Sequence, residues 1–406
     1  MKEEIKKITP EFILNFYHFV LAFLSALFYG FPSKKIKVVG ITGTSGKTTT
    51  AELISLILEK AGYKTAVLSS IKFKIKEQEK ENDLKMTMPG RFKLQRFLKQ
   101  AVLQKCDYAV LEVTSEGIKQ YRHKFIDFKV SVFTNLSPEH IESHKGFENY
   151  KKCKGRLFEQ TKNIHIINYD DENKDYFLQF KAKEKWLFSL KQEKDNIIKA
   201  RKTDSGFSIN NQEIKLLIPG EFNVYNALAA LCFGLSQRIN FNIIKHALEN
   251  YPGVPGRMEV VIKKPFKVVI DYAITPVSLE KAYQTLGNNL ICVLGSCGGG
   301  RDKWKRPVFG KIASQYCKKV ILTNEDPYDE DPEQIINQIA KGCTKPAIKI
   351  IDRKEAIKKA LQLAQEKDTI IITGKGCEPW MCIKGGKKIP WNEKEIILQE
   401  FSSLKK

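Results

Sequence analysis

Short runs of β-branched and other apolar residues alternate with helical stretches along this chain, a pattern that predicts an α/β protein with parallel sheets and helices on both faces. Two further observations predict two such domains. The string YPGVPGR at 251–257 concentrates Pro and Gly between two α/β sets. With 406 residues, 42% hydrophobic and 28% charged, the chain is long enough for separate cores and too apolar to be disordered.

At the N-terminus, Phe12 to Ser33 carries no formal charge and is mostly apolar, a length that reaches across a bilayer. Asn15, His18 and Ser25 interrupt the stretch, Gly30 and Pro32 close it, and no small-residue cleavage site follows. It reads first as a helix over 12–31 packed on the protein or a partner, second as one lying on a membrane surface, and third as a span. Lys6, Lys7, Lys34, Lys35 and Lys37 flank it and suit a membrane surface equally well. Next come a strand KVVGIT, a Gly-rich turn, a helix from about Thr48 to Ala61, a strand TAVLSS, a helix near 91–104 and strands YAVLEVT and VSVFTNL. The more polar region 165–218 is expected to hold smaller strands and turns, and helix Val224–Ser236 leads to the Pro/Gly boundary. Beyond it FKVVIDYA, NLICVLGS, KVILTNE, AIKIID and DTIIITG are the strands of a second set. The expected divisions are 1–35, 36–253 and 254–406.

Sixty-eight Lys and Arg against 46 Asp and Glu give a net charge of +22, which attracts anions without choosing among them. The Lys are scattered, only ten of the cations are Arg, and no zinc-finger or RNA-binding signature is present; a lysine-rich solvated surface is expected, with no nucleic-acid partner. Nine Cys with no C-x-x-C pair suit a reducing cytoplasm better than a disulfide framework.

KVVGIT runs into GTSGKTTT and then a helix, the context in which a Gly-rich turn cradles a nucleoside triphosphate. Gly43 and Gly46 let backbone N–H groups reach phosphate oxygens, Lys47 neutralises β and γ charge, and Thr48 is placed to hold Mg²⁺. Thr44, Ser45 and Thr49 complete the predicted ATP loop. Ile41 stands where the generic G-x-x-x-x-G-K-[ST] pattern has its first Gly. The string TGTSGKTTT resembles the ATP loop of the Mur ligase family, and separate motifs in that family's order continue the resemblance over about residues 36–400. It implies a P-loop-type central domain followed by a Rossmann-like C-terminal domain.

Glu112 ends an apolar strand, so its carboxylate emerges at the sheet edge where α/β proteins bind ligands. From spacing alone Glu112 is equally a strand-end carboxylate, His140 of SPEHIESH a solvated loop residue, and Lys154 of KKCKGRLF a surface lysine. The resemblance implies more: Glu112 and His140 bind Mg²⁺, and Lys154 is carbamylated, which turns a cation into an anion beside the metal. It likewise implies that Asn226 of PGEFNVYNALAA approaches adenine, Arg257 of PGRMEVV contacts nucleotide and Asp271 of DYAITP binds ribose.

Within the family, three strings are similar to the MurE-type, UDP-N-acetylmuramoyl-tripeptide synthetase branch, which adds the third residue to UDP-N-acetylmuramoyl-L-alanyl-D-glutamate through an acyl phosphate. EVTSEGIKQYR with MTMP implies that Thr87, Ser115, Gln120 and Arg122 face the muramoyl-dipeptide. GGGRDKWKRP implies that Arg301 takes the carboxylate of the incoming amino acid, and GKGCEPW that Glu378 takes its amine. Departures stand beside these matches: Glu116, Ile274 and Cys377 replace family histidines, and Tyr328 stands where diaminopimelate-adding enzymes carry Arg, leaving diaminopimelate, lysine or a similar amine open. Full enzymes of this branch place a UDP-binding domain before the ATP loop, where this sequence has the apolar stretch.

The implied activity is an ATP- and Mg²⁺-dependent ligase of peptidoglycan precursor synthesis, cytoplasmic or peripheral at the inner membrane face. A related ligase, such as folylpolyglutamate synthase or the ligase subunit that amidates lipid-linked precursors, is the second reading, although the four-Cys insertion usual in the latter is not seen. A catalytically decayed, membrane-associated nucleotide-binding protein is the third.

Overall fold

The computed structural model describes residues 10–404 apart from Lys85; the flanking cations Lys6 and Lys7 lie outside the described residues. The chain folds as two compact units, one of residues 1–136, 147–217 and 221–251, the other of 137–146, 218–220 and 252–406.

The first unit is built on a nine-stranded sheet. In chain order its strands are β1 (Lys37–Thr42), β2 (Thr65–Leu68), β3 (Lys72–Ile75), β4 (Gln78–Glu81), β5 (Tyr108–Glu112), β6 (Phe128–Phe133), β7 (Ile164–Asn168), β8 (Glu184–Ser189) and β9 (Ile197–Lys199). They lie in the order β4-β3-β2-β5-β1-β6-β7-β8-β9. All neighbours are parallel except the β2-β3-β4 edge hairpins. That antiparallel edge extends the predicted parallel sheet. Its strands β3, half-buried through Phe73 and Ile75, and β4, polar and exposed, are joined by a tight turn at Lys76, whose φ is 52°. The polar region also differs from expectation in that β7–β9 extend the main sheet, leaving β10 (Arg201–Thr203), β11 (Gly206–Ile209) and β12 (Gln212–Lys215) as a separate small sheet.

Burial explains the central strands. Val38, Val39 and Ile41 of β1 and Ala109, Val110 and Leu111 of β5 are completely buried, as near-continuous apolar runs must be when helices cover both faces. Each such aliphatic side chain contributes about 1.5–3 kcal/mol. Gly40 is required in β1, because a Cβ there would stand 2.8 Å from the Phe128 ring. The N-terminal helix spans Glu11–Phe28. It stops short of residue 31, where Phe31 takes a left-handed φ of 49° and Pro32 opens a short 3₁₀ turn.

The second unit carries β13 (Glu259–Ile262), β14 (Lys267–Asp271), β15 (Leu290–Leu294), β16 (Cys317–Leu322), β17 (Ile348–Lys349) and β18 (Thr369–Thr373) in the order β13-β14-β18-β15-β16-β17. Only β13 is antiparallel. Its core, including Val268, Ile270, Ile291, Val293, Ile370 and Ile372, closes under helices Arg353–Leu363 and Glu393–Leu404.

Candidate active site

In the first unit β1 lies between β5 and β6, which brings three strand ends to one edge. Ile41 pairs with Glu112, and Thr42 with Phe133. The Gly43–Gly46 turn, the Glu112 carboxylate and the Thr134–Asn135 segment therefore emerge side by side, at the carboxyl end where such sheets bind ligands.

The turn is braced from β6. Thr44 and Ser45 donate their N–H groups to Asn135 O and Oδ1 (2.9 and 3.0 Å), while Asn135 Nδ2 and Thr134 Oγ1 donate to Ser45 O (3.0 and 2.7 Å). At Gly43, with φ 153°, a Cβ would lie 1.9 Å from Thr134 Oγ1; at Gly46, with φ 83°, it would lie 2.2 Å from Asn226 Oδ1. Glycine alone suits both positions. Asn226 also accepts from Thr50 Oγ1 at 3.4 Å, so in this structure it backs the turn and the helix behind it.

Two ammonium groups converge on this turn. Lys47 Nζ donates to Gly43 O and Thr44 O (3.0 and 2.9 Å), and Lys154 Nζ donates to Gly43 O at 2.8 Å. Lys154 is 2% exposed and lies over the Tyr150 ring at 4.7 Å; it is not a surface lysine. Helix Lys47–Lys60, in whose first turn Thr48 and Thr49 are buried, has no side-chain cap. Its N–H groups and the two cations form a positive cradle of the kind that binds phosphate oxygens.

Glu112 is completely buried. One carboxylate oxygen accepts the Ser70 N–H (2.8 Å) and the other the Ser70 hydroxyl (3.1 Å), while Ser70 Oγ also lies 2.8 Å from Thr87 Oγ1. A hydroxyl has one proton, so Thr87 donates to Ser70 and Ser70 to Glu112. Nearby in sequence, Arg122 donates to Gln120 Oε1 at 2.8 Å and to Met88 O, which ties the MTMP and KQYR strings together. Ser115 is buried, and its carbonyl accepts from Cys153 Sγ at 3.2 Å. Among the described residues no group of three His, Cys, Asp or Glu side chains is placed to hold a metal ion. A lone carboxylate such as Glu112 fits Mg²⁺, which takes one or two carboxylates and fills its shell with water and phosphate oxygens.

In the second unit, β14 and β18 pair Asp271 with Thr373, so the residues after both strands share an edge. Arg257 stacks on the Tyr272 ring at 4.0 Å and donates to Tyr272 O at 3.3 Å. Tyr272 Oη donates to Glu378 Oε1 (2.9 Å), and Lys375 Nζ donates to Glu378 Oε2 (2.6 Å), to both Asp326 oxygens (3.0 Å) and to Trp380 O (2.6 Å). Burial works against the Arg301 charge, but Cys297, Tyr272, Tyr328 and Glu139 around it raise its pKa. Burial pushes the Glu325 carboxyl up to about 7, against the pull of Arg353.

His140 sits with φ 57° at the start of the turn Ile141–His144, in a loop held within this same unit. Lys305 Nζ binds Glu139 (3.0 and 3.4 Å) and Ile274 O (3.0 Å), with both charged side chains buried. Asp302 accepts the N–H groups of Ile141 and Glu142 (3.2 and 3.1 Å). The loop of His140 is thus tied to the string that carries Arg301.

Burial pushes Asp271 up to about 6, offset in part by Arg257 and by the backbone N–H of Met258, which donates at 2.8 Å. A carboxyl raised in the native state adds stability in full below its ordinary pKa near 3.8, and that stability is lost as pH rises through about 6. Urea unfolding between pH 4 and 7 is expected to show a downward slope, with Glu325 extending it towards neutrality. Asp271→Asn keeps an acceptor for Met258 and is expected to flatten the lower part by on the order of 2–3 kcal/mol; an unchanged slope contradicts the assignment.

Ser70, Thr134, Asn135, Tyr272, Asp302, Lys305 and Lys375 were not among the expected site residues. Each lies at or just beyond a predicted strand or inside a quoted motif, so position at a strand's carboxyl end was the available signal.

Residues 41–234 match the Mur ligase middle domain and residues 256–376 the Mur ligase glutamate ligase domain. The chain is 38% identical over 394 residues to a UDP-N-acetylmuramoyl-L-alanyl-D-glutamate–2,6-diaminopimelate ligase of Clostridium botulinum, covering 93% of this chain and 80% of that protein. A solved structure of a ligase of the same name aligns with TM-score 0.61 and 29% identity, over 91% of this chain and 79% of that one. A folylpolyglutamate synthase from Mycobacterium tuberculosis aligns with TM-score 0.69 over 90% and 96% of the two chains, but at 16% identity shares the fold alone.

Proposed function

Since this chain belongs to the Mur ligase family and is an ATP-dependent acid–amino-acid ligase, we propose that it adds the third residue, a diamino acid such as diaminopimelate or lysine, to UDP-N-acetylmuramoyl-L-alanyl-D-glutamate in peptidoglycan precursor synthesis. The reading is supported above all by the Gly43–Gly46 turn, where Lys47 Nζ reaches Gly43 O and Thr44 O beside an uncapped helix start. A carboxylate is a poor electrophile until it is phosphorylated. The D-glutamyl carboxylate takes the γ-phosphoryl group of ATP, ADP leaves, the incoming amine attacks the acyl phosphate and gives up a proton, and phosphate departs as the amide forms.

In this reading Lys47 and the helix N–H groups hold the phosphates in line, Asn226, Arg257 and Asp271 serve the adenosine, and Thr87, Ser115, Gln120 and Arg122 orient the dipeptide. Arg301 and Glu378 receive the carboxylate and amine of the incoming amino acid. Thr48 and Glu112 would hold Mg²⁺, with His140 carried over from the family motif as a further ligand and Lys154, once carbamylated, as a further anionic group; the metal would supply neutralisation of phosphate charge. The nine cysteines are all free thiols, in keeping with a reaction in the cytoplasm.

The test is to incubate the protein with ATP, Mg²⁺ and a panel of amino acids, with either the UDP-muramoyl-dipeptide or a folate as acceptor, following phosphate release and product mass. Release coupled to a tripeptide product with a diamino acid is expected. No release with any amine refutes the reading, and release only with a folate acceptor replaces it by the related ligase. Tyr328 rests against Gly299 of the Arg301 string and cannot form the bidentate pair a guanidinium offers to a second carboxylate. Tyr328→Arg is therefore expected to move the preference towards diaminopimelate by about tenfold.

A further inference from the structure

The helix Glu11–Phe28 leaves most of its large apolar side chains outside its own unit. Its fully buried residues are small, Ala22, Ser25 and Ala26, while Leu14, Asn15, His18, Val20 and Leu21 are half-buried. The residues turned away are Phe12 (72% exposed), Phe16 (70%), Tyr17 (56%), Leu24 (45%), Leu27 (53%) and Phe28 (74%). A helix on the surface of a soluble domain has the opposite polarity. Ser25 returns its hydroxyl to Ala22 O at 2.9 Å, and among the outward side chains just named only Tyr17 carries a group that bonds water.

Cations border this face. Lys34 and Lys35 follow the helix, and Lys93 and Arg96 stand on helix Arg91–Leu103, against which it packs; all four are exposed. Phe92 of that second helix, 43% exposed and 6.2 Å from Phe28, continues the apolar surface. Glu11 is the one acidic residue of the N-terminal helix.

We propose that this face seats on an anionic membrane surface, with the helix parallel to the plane and its aromatic side chains in the boundary between headgroups and acyl chains. Insertion across the bilayer does not fit. Phe19 and Phe23 pack on Phe125 at 5.2 and 5.4 Å, and β1, a central strand of the sheet, begins at Lys37, so a crossing helix would have to leave its own unit or drag that strand with it. Association with a second copy opposes two cation-bordered faces in a chain of net charge +22, whereas anionic lipid complements them. Nothing in this surface depends on the ligase chemistry.

The test uses the full chain with vesicles of phosphatidylcholine, with and without phosphatidylglycerol. Sedimentation with the phosphatidylglycerol vesicles is expected, with at least about tenfold less bound to neutral ones. Phe12→Glu/Phe16→Glu changes two side chains that make no ring contacts in the fold among those described, so the melting temperature should hold while vesicle binding falls about tenfold or more. Lys34→Glu/Lys35→Glu should lower binding to the anionic vesicles alone. The proposal is overturned if the wild-type chain stays in the supernatant or the Phe variant binds equally well. It is also overturned if sedimentation equilibrium shows a dimer that the Phe variant dissociates without any vesicle binding, or if the chain resists alkaline extraction as a spanning protein does.

Discussion

Lys47→Ala is expected to lower ATP-dependent phosphate release by about 10²–10³-fold, the usual cost of removing one preorganised charge from a reacting centre. The physical basis is local. Lys47 opens the helix Lys47–Lys60, and its ammonium lies 3.0 and 2.9 Å from two carbonyls of the turn, where a compact cation counters the charge that builds on transferring phosphate oxygens. Its side chain is only half-buried, so the fold is expected to survive, with unfolding free energy changed by no more than about 1 kcal/mol. Phosphate assay and nucleotide titration on the same preparation separate the two effects. A variant that retains more than about a tenth of wild-type turnover would remove the turn from the phosphoryl-transfer machinery.

The second large effect is expected in the other unit. Lys375 is completely buried and holds Asp326, Glu378 and Trp380 O together. Lys375→Met removes the cation bonded to Asp326 and leaves this buried carboxylate with only the more distant charge of Arg353 named against it. Breaking a buried pair in this way costs about 3–5 kcal/mol, or roughly 10 °C in the melting of a unit this size. Adding Asp326→Asn should recover part of the loss, because an amide oxygen can still accept the Cys382 N–H that Asp326 Oδ1 now takes at 2.7 Å. Calorimetry checks both variants; a loss under about 1 kcal/mol in the single variant would mean that water already compensates the pair. Since Glu378 loses its Lys375 partner too, the KM for the amino acid is expected to rise in any Lys375→Met protein that remains folded.

Most of the fold was legible because its signals are local. Strand runs such as KVVGIT and DTIIITG are buried on both faces and apolar throughout, and the Gly43–Gly46 turn was recognisable from glycines whose φ of 153° and 83° other residues rarely adopt. The β3–β4 hairpin was not legible, because the alternation of β3, with Phe73 and Ile75 on the core, runs for only four residues and β4 is wholly polar and exposed at the sheet edge. In the site, Glu112 could be singled out as an acid ending an apolar strand, and Asp271 through the family resemblance. The partners of such acids could not. Ser70 is 42 residues from Glu112, and Lys305 is 166 from Glu139.

The sequence by itself therefore determined the α/β class, the Mur ligase resemblance, the phosphate turn and the candidate acids at strand ends, all of which depend on residues close together along the chain. Only the tertiary structure decided which side chains meet. Sheet order, with β1 between β5 and β6 and β18 beside β14, sets which strand ends become neighbours, and no local pattern encodes that order. It likewise decided the orientation of the N-terminal helix. An apolar stretch with a few polar interruptions has the same composition whichever face packs; in the fold Phe23 rests on Phe125, while Phe12 and Phe16 are left exposed.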